Sequence, residues 1–192
     1  MSNITTLSAE TRKRTGSGVL KQMRREGWIP SVVYGTAGEN QNIKINKKAF
    51  SDLIKASAST SLLVTLDVEG KEQLAFIQDM QINALSREIV HADFLAVDDK
   101  TIITADLPLV LVGEPKGVKL GGQLEQMVHS LKVKCFPQDL TAVIQADVSD
   151  LDVSESYPIG SIDFPKGVTP VLNDKVVVAL VAKTRAAKSA GA

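Results

Sequence analysis

The stretch RTGSGVLKQMRREGWIPSVVYG, residues 14 to 35, sets Gly16 and Gly18 ahead of Lys21, Arg24 and Arg25, with no acid until Glu26. At helical spacing, three and four positions apart, those three cations share one side of a helix. Such a group offers point charges to phosphates and, through arginine, a planar fork for bidentate contact. Gly16 and Gly18 would permit close approach of a ligand to the backbone, or a turn with positive φ. The same residues also make an ordinary solvated helix face, and this stretch alone does not separate the two. A nucleotide-cradling P-loop is improbable here. That motif needs a longer glycine spacing followed at once by Lys-Ser/Thr, and no apolar strand precedes TGSGVLKQ.

His91 and Asp93 form a second group, within IVHADFLAV. In a strand, residues two apart point to one face, so these two stand side by side while Ala92 and Phe94 face the core. An acid-base dyad would need a nucleophile, and a metal site would need further ligands. His129, the other histidine, is too remote in sequence to be assumed as one. A hydrogen-bonded surface pair is the alternative. Tyr34, closing SVVYG, either stacks on a base or seals the core edge. Trp28, the sole tryptophan, is either a half-exposed platform or a lid on the helix. GVKLGGQLEQ, residues 117–126, reads as a bulge or sharp bend before a strand and not as a binding loop.

The elements that position these groups are mostly strands. Residues 43–45, 61–68, 73–82 and 89–97 alternate apolar and polar positions and are rich in β-branched residues, with a hairpin turn expected at VEGKE around Gly70. Two short helices interrupt them. The first begins near Ser17 as N-cap, turns Val19, Leu20 and Met23 toward the domain, and stops at Gly27 before Pro30. The second, NKKAFSDLIKAS, is capped by Asn46 and buries Phe50, Leu53 and Ile54. After residue 100 helix signals almost vanish, and IITADLPLVLVG, LEQMVHSLKVKCF, LTAVIQADV and KVVVALVA read as strands. The expected division is 1–98, 99–184 and a loose tail at 185–192.

Composition fits this reading. Lys+Arg and Asp+Glu both number 22, and this neutrality argues against indiscriminate coating of nucleic acid. Yet residues 1–60 hold ten Lys/Arg against four acids, which points to a confined anion-binding face at that end. Cys135 is the only cysteine, so neither an intrachain disulfide nor a cysteine zinc site can form, and its place in LKVKCF marks it as a packing residue. No apolar run approaches the roughly 18 residues of a membrane span, and MSNITTLSAE lacks an apolar signal core, so a cytoplasmic setting is expected.

In order and spacing, Arg12, Gly16-Ser17-Gly18, Lys21, Arg24-Arg25-Glu26-Gly27, Ile29-Pro30, Val33-Tyr34-Gly35 and then HADF from residue 91 resemble a known family. It is the bacterial 5S rRNA-binding large-subunit ribosomal protein numbered twenty-five, in the long two-domain form called the general stress protein Ctc type. The likeness continues through LVGEPKGVKLGGQLEQ and DVSDLDVSESYPIGSIDFPKGV and spans residues 10–182. It implies a mainly β fold: an N-terminal β-barrel with short helices that docks on the loop E region of 5S rRNA, then a mostly β C-terminal domain. It implies RNA contacts at Arg12, Lys21, Arg24, Tyr34, His91 and Asp93, to which Arg25 is added on the helix face, with Gly16 and Gly18 shaping the approach to the ribose-phosphate backbone. Ser17 stands where the family often has lysine, and Gln22 where it commonly has arginine. The expected protein is a ribosome component and not an enzyme, with no cofactor, metal, membrane or small-molecule substrate. Neighbouring ribosomal proteins are the expected partners of the second domain. A stress-linked assembly or interaction factor and a hydrolase using His91 and Asp93 are the competing readings.

Overall fold

The structure, a computed structural model, describes residues 5–13, 16–35, 40–57 and 61–183. The expected tail at 185–192 lies outside them. Backbone proximity divides the chain into two units, Met1–Ile103 with Phe136–Gln138, and Thr104–Cys135 with Asp139–Ala192.

The first unit runs β1 (Thr5–Thr11), α1 (Ser17–Arg25), β2 (Trp28–Gly35), β3 (Gln41–Asn46), α2 (Lys47–Ala56), β4 (Leu63–Val68), β5 (Lys71–Ile82) and β6 (Ile89–Ala96). The strands close into a barrel in the order β1-β3-β2-β6-β5-β4. Two of its contacts, β1 with β4 and β2 with β6, are parallel, and the others are antiparallel. Alternation produces the core directly: Val64, Leu66 and Val68 of β4, Ile43 and Ile45 of β3, and Ala92, Phe94 and Ala96 of β6 all face inward and are buried. The expected hairpin turn forms at Glu69 and Gly70, whose φ of 54° and 86° suit a tight connection matched to strand twist.

Helix α2 forms as its sequence demands. The Asn46 side chain accepts from the amides of Lys48 (3.0 Å) and Ala49 (3.2 Å), satisfying donors the helix cannot. Phe50 is fully buried against Phe94 in an edge-on arrangement with centroids 5.9 Å apart, and Leu53 and Ile54 pack on the same core. Gly35 ends β2 at φ 134°, where an added Cβ would lie 2.4 Å from the Ala96 carbonyl oxygen. Only glycine lets β2 lie this close to the end of β6.

The second unit is also β-rich, so the whole chain has the mainly β architecture expected. It contains β7 (Ile103–Val112), a short α3 (Lys116–Lys119), β8 (Gly122–Gln126), β9 (Ser130–Cys135), β10 (Ile144–Asp147), β11 (Ser156–Pro158), β12 (Thr169–Pro170) and β13 (Val177–Lys183). These make a four-stranded sheet, β10-β7-β9-β12, and a three-stranded one, β11-β13-β8. The single strand expected over LEQMVHSLKVKCF is two strands in different sheets. The chain turns between them because the amides of Met127 and Val128 both bond to the Val178 carbonyl, while Gln126 Nε2 donates to Leu109 and Val128 carbonyls. GVKLGG has the structural role expected, though as the α3 turn and its exit, not a bulge: a Cβ on Gly117 would lie 2.7 Å from the Val153 amide nitrogen, and one on Gly122 2.6 Å from a Val181 methyl. Cys135 is buried, and burial first, then Asp139, pushes its thiol pKa up, as befits a packing residue.

Phe50→Ala should remove the α2 anchor and cost about 3–5 kcal/mol. The sole tryptophan, Trp28, lies in the first unit, so urea unfolding followed by its fluorescence reports this unit alone. A loss below about 1 kcal/mol would show that α2 adds little to barrel stability.

Candidate nucleic-acid interface

Helix α1 departs from expectation at its start and along its apolar side. Its N-cap is Gly16, extended at φ −75° and ψ 170°, with no side-chain cap bond, so Ser17 is the first helical residue and caps nothing. None of its residues is buried: Val19 is 51% exposed, and Leu20 and Met23 are only half-covered. Neither Gly16 nor Gly18 has positive φ, and an added Cβ on either would meet nothing within 4 Å. Their surroundings are open, leaving backbone accessible at the helix start.

Polar bonds at the other end hold α1. Arg24 Nε donates to the Val90 carbonyl of β6 at 3.1 Å. The helix stops, as expected, at Gly27, whose φ of 86° reverses the chain. The Gly27 carbonyl then accepts from the Lys47 amide at 2.9 Å. Lys47 in turn pairs with Glu88 at 2.5 Å, and this bond holds the Glu88 carboxyl below its ordinary pKa.

Arg12 follows β1 and crosses the sheet. Its Nε donates to the Ile43 carbonyl of β3 (2.9 Å) and its Nη2 to the Ser31 carbonyl of β2 (3.3 Å). Partial burial and then the charge of Arg24 lower the pKa of this guanidinium, so the two arginines lie within electrostatic reach. Among the described residues neither forms an ion pair with a carboxylate. Backbone carbonyls orient both groups without neutralising them.

Beside it, His91 Nδ1 lies 2.7 Å from Asp93 Oδ1, while Ala92 and Phe94 are fully buried, as strand alternation requires. In the neutral ring this bond keeps the proton on Nδ1 and leaves Nε2 as an acceptor. Parallel β2–β6 register sets Asp93 opposite Val32 and Leu95 opposite Tyr34, so Tyr34 stands near the pair. Burial raises the Tyr34 phenol pKa first, with further contributions from Asp93 and then Asp79. Asp79 is a member of this surface that sequence reasoning missed: it sits directly across the β5–β6 ladder from Asp93.

The structure thus brings Arg12 and Arg24 together, and Tyr34, His91 and Asp93 together. Arg24 links the two groups through Val90, the residue before His91. Lys21 and Arg25 are exposed on α1 and join the cationic side by helical spacing alone. Gln22 binds Glu26 along the helix at 2.9 Å. Half-buried Trp28 carries Lys44 over its ring at 4.4 Å, and Lys44 also pairs with Glu10 at 2.6 Å. That ring face is occupied. Among the described residues no group of three or more His, Cys, Asp or Glu could hold a metal ion.

A closed β-barrel bearing an un-neutralised arginine pair beside a Tyr–His–Asp group, followed by a second β unit, defines a recognisable class of two-part protein. Residues 7–94 match the Ribosomal L25p family, and residues 102–185 match the C-terminal domain of ribosomal protein TL5. The chain is 40% identical to the large ribosomal subunit protein bL25 of Akkermansia muciniphila over 179 residues, covering 93% of this chain and 89% of that protein. The bL25 protein of Halothermothrix orenii is 34% identical, covering 94% and 83%. That of Sorangium cellulosum is 32% identical, covering 93% and 79%. The chain belongs to the Ribosomal L25p family, in its long two-domain form. No helix among the described residues is long and apolar enough to cross a membrane.

Tyr34 reports the site's electrostatics. With Tyr157→Phe removing the other of the chain's two tyrosines, the remaining phenol should ionise above its ordinary range in ultraviolet titration. Adding Asp93→Asn should lower that midpoint without returning it fully, since burial is the larger cause. The sign follows: a neutral phenol favoured by folding contributes stability below its unfolded pKa, and loses it as pH rises through the folded one. A midpoint that ignores Asp93→Asn would separate Tyr34 from the His–Asp pair.

Proposed function

We propose that the protein is a non-catalytic component of the large ribosomal subunit whose barrel, residues 1–98, binds 5S rRNA in its loop E region. The observation that carries this reading is the Arg12–Arg24 pair, fixed by three backbone carbonyls and facing no carboxylate partner. The names of the relatives, large ribosomal subunit proteins, support the same assignment and with it a place on the ribosome in the cytoplasm.

A-form RNA hides its major groove and exposes a wide, shallow minor groove of 2′-hydroxyls and base edges, so recognition relies on phosphates, sugars and shape. Arg12 and Arg24 supply the phosphate contacts, with Lys21 and Arg25 extending them along the open face of α1. Gly16 and Gly18 let the ribose-phosphate backbone approach the start of that helix. Tyr34, His91 and Asp93 supply the selective contacts: a phenol donor, an imidazole and a carboxylate acceptor on one face of the β2–β6 ladder. The carboxylate is the discriminating member, because near phosphates it is unfavourable unless it accepts a defined hydrogen bond. Residues 99–184 make a protein contact within the subunit. The outward side of β7, where Val110 and Val112 are exposed, favours a protein neighbour over RNA.

The test is a gel-shift series on the full chain, with 5S rRNA and a generic duplex RNA across salt concentrations. Arg24→Ala should reduce the slope of log affinity against log salt by about one unit. Asp93→Ala should weaken binding to 5S rRNA more than to the generic duplex. An unchanged slope would make α1 a solvated face, and equal losses on both RNAs would remove Asp93 from recognition.

A further inference from the structure

Strict alternation along β5 would turn Asp79 inward. Ile77 is buried in the barrel core, so Gln78 should face out, Asp79 in, and Met80 out. The register instead shifts between Ile77 and Asp79: Ile77 pairs with Phe94, whereas Asp79 pairs with Asp93. One extra residue, Gln78, is accommodated as a bulge, and positions 79 to 81 change face before a second irregularity after Gln81. Met80 then packs on the core, while Asp79 and Gln81 stand outside opposite Asp93 and His91.

The result is a like-charge pair directly across a ladder, an arrangement that costs stability. Among the described residues Asp79 forms no ion pair, and its one hydrogen bond is from the Met80 amide to Oδ1, which leaves Oδ2 uncommitted. His91 is bonded to Asp93 and cannot relieve both acids. The charge of Asp79 is also felt at Tyr34, which places it within the same surface. The bulge spares the fold a carboxylate buried in the barrel core, but stability would be served better still by an uncharged residue beside Asp93. A carboxylate there adds what an uncharged residue lacks: it accepts hydrogen bonds without donating and repels phosphates.

We infer that Asp79, turned outward by the Gln78 bulge, is a further specificity-determining residue of the proposed RNA site. It accepts from the donors an RNA minor groove displays, 2′-hydroxyls and guanine amino groups, and disfavours register positions that would bring a phosphate there. The inference rests on the RNA-binding reading above and adds a second acceptor to Asp93. The surface thus has a cationic side, Arg12 and Arg24, which fixes the backbone, and an acceptor side, Asp79 and Asp93, which tests what lies between phosphates.

The test uses the full chain with Asp79→Asn and Asp79→Ala, measuring affinity for 5S rRNA and for a generic RNA duplex of equal length, together with thermal melting. Asparagine keeps an oxygen for the Met80 amide, so it separates charge from shape. Both variants should bind 5S rRNA about tenfold more weakly, the scale of one lost groove contact. Binding to the generic duplex should hold or strengthen, and Asp79→Asn should melt no lower than the parent. Equal changes on both RNAs, no change on either, or a lower melting temperature for Asp79→Asn would overturn the inference, the last by assigning the carboxylate a structural role. A parent protein that binds 5S rRNA no better than the generic duplex would overturn the RNA reading itself. Loss of discrimination confined to Arg24→Ala and Asp93→Ala would sink Asp79 alone.

Discussion

The parallel contact between β2 and β6 is the constraint on which the site depends. Ser31 pairs with Ala92 and Gly35 with Ala96, so strands far apart in sequence meet only once β3, α2, β4 and β5 have been laid down between them. Parallel strands cannot be joined by a tight turn, and here the crossover is most of the barrel. This one ladder puts Tyr34 near Asp93 and brings the Val90 carbonyl within reach of Arg24. It also explains Gly35, since any side chain there would collide with the Ala96 carbonyl. Tyr34, His91 and Asp93 of the proposed site are therefore carried on strands whose positions are fixed by a closed, well-filled core, which gives them more precise placement than a loop would.

How the arginines are held matters as much as where. A carboxylate partner would orient each guanidinium but cancel its charge. Carbonyl oxygens of Ile43, Ser31 and Val90 orient them with dipoles and leave the full charge facing outward. Acids are placed elsewhere on the same surface, on β5 and β6, where Asp79 and Asp93 face each other. The chain's formal neutrality thus conceals a surface divided by sign. A protein that binds through such a division needs little net charge, because orientation does the work that bulk attraction does for strongly basic proteins.

Much of this was legible from residue order. Alternation in SLLVTLDV and IVHADFLAV gave both strands and inward faces, and Asn46 announced the start of α2. That His91 and Asp93 share one face followed from two-residue periodicity, whereas their expected contact with RNA rests on the family resemblance. What failed was everything that depends on a break in period or on a distant carbonyl. The split of LEQMVHSLKVKCF arises where two successive amides share the Val178 carbonyl, a partner some fifty residues away. Asp79 was hidden because the bulge at Gln78 is set by pairing with β6. Its only trace is the sequence AFIQDM, where Ile77 and Met80, three apart, both face the core. Val19 is exposed although its helical spacing predicts an inward apolar side, because α1 is not attached by an apolar face.

That last point bears on what supports the proposed site. A nine-residue helix is too short to persist in water by propensity alone, and with no buried side chain it gains little from the core. Its order comes from Arg24 on Val90, from Gly27 on Lys47, and from Lys47 on Glu88. The loop between β5 and β6 and the first turn of α2 are consequently part of the machinery that positions α1, although neither presents a group to the proposed RNA surface. Arg24 has a double role in this scheme: the same guanidinium that offers charge outward also ties the helix to β6 beside His91. A substitution there removes a charge and loosens the helix together. The charge-preserving Arg24→Lys would separate these roles, because lysine keeps the charge but lacks the rigid fork that can bond a carbonyl and an anion at once.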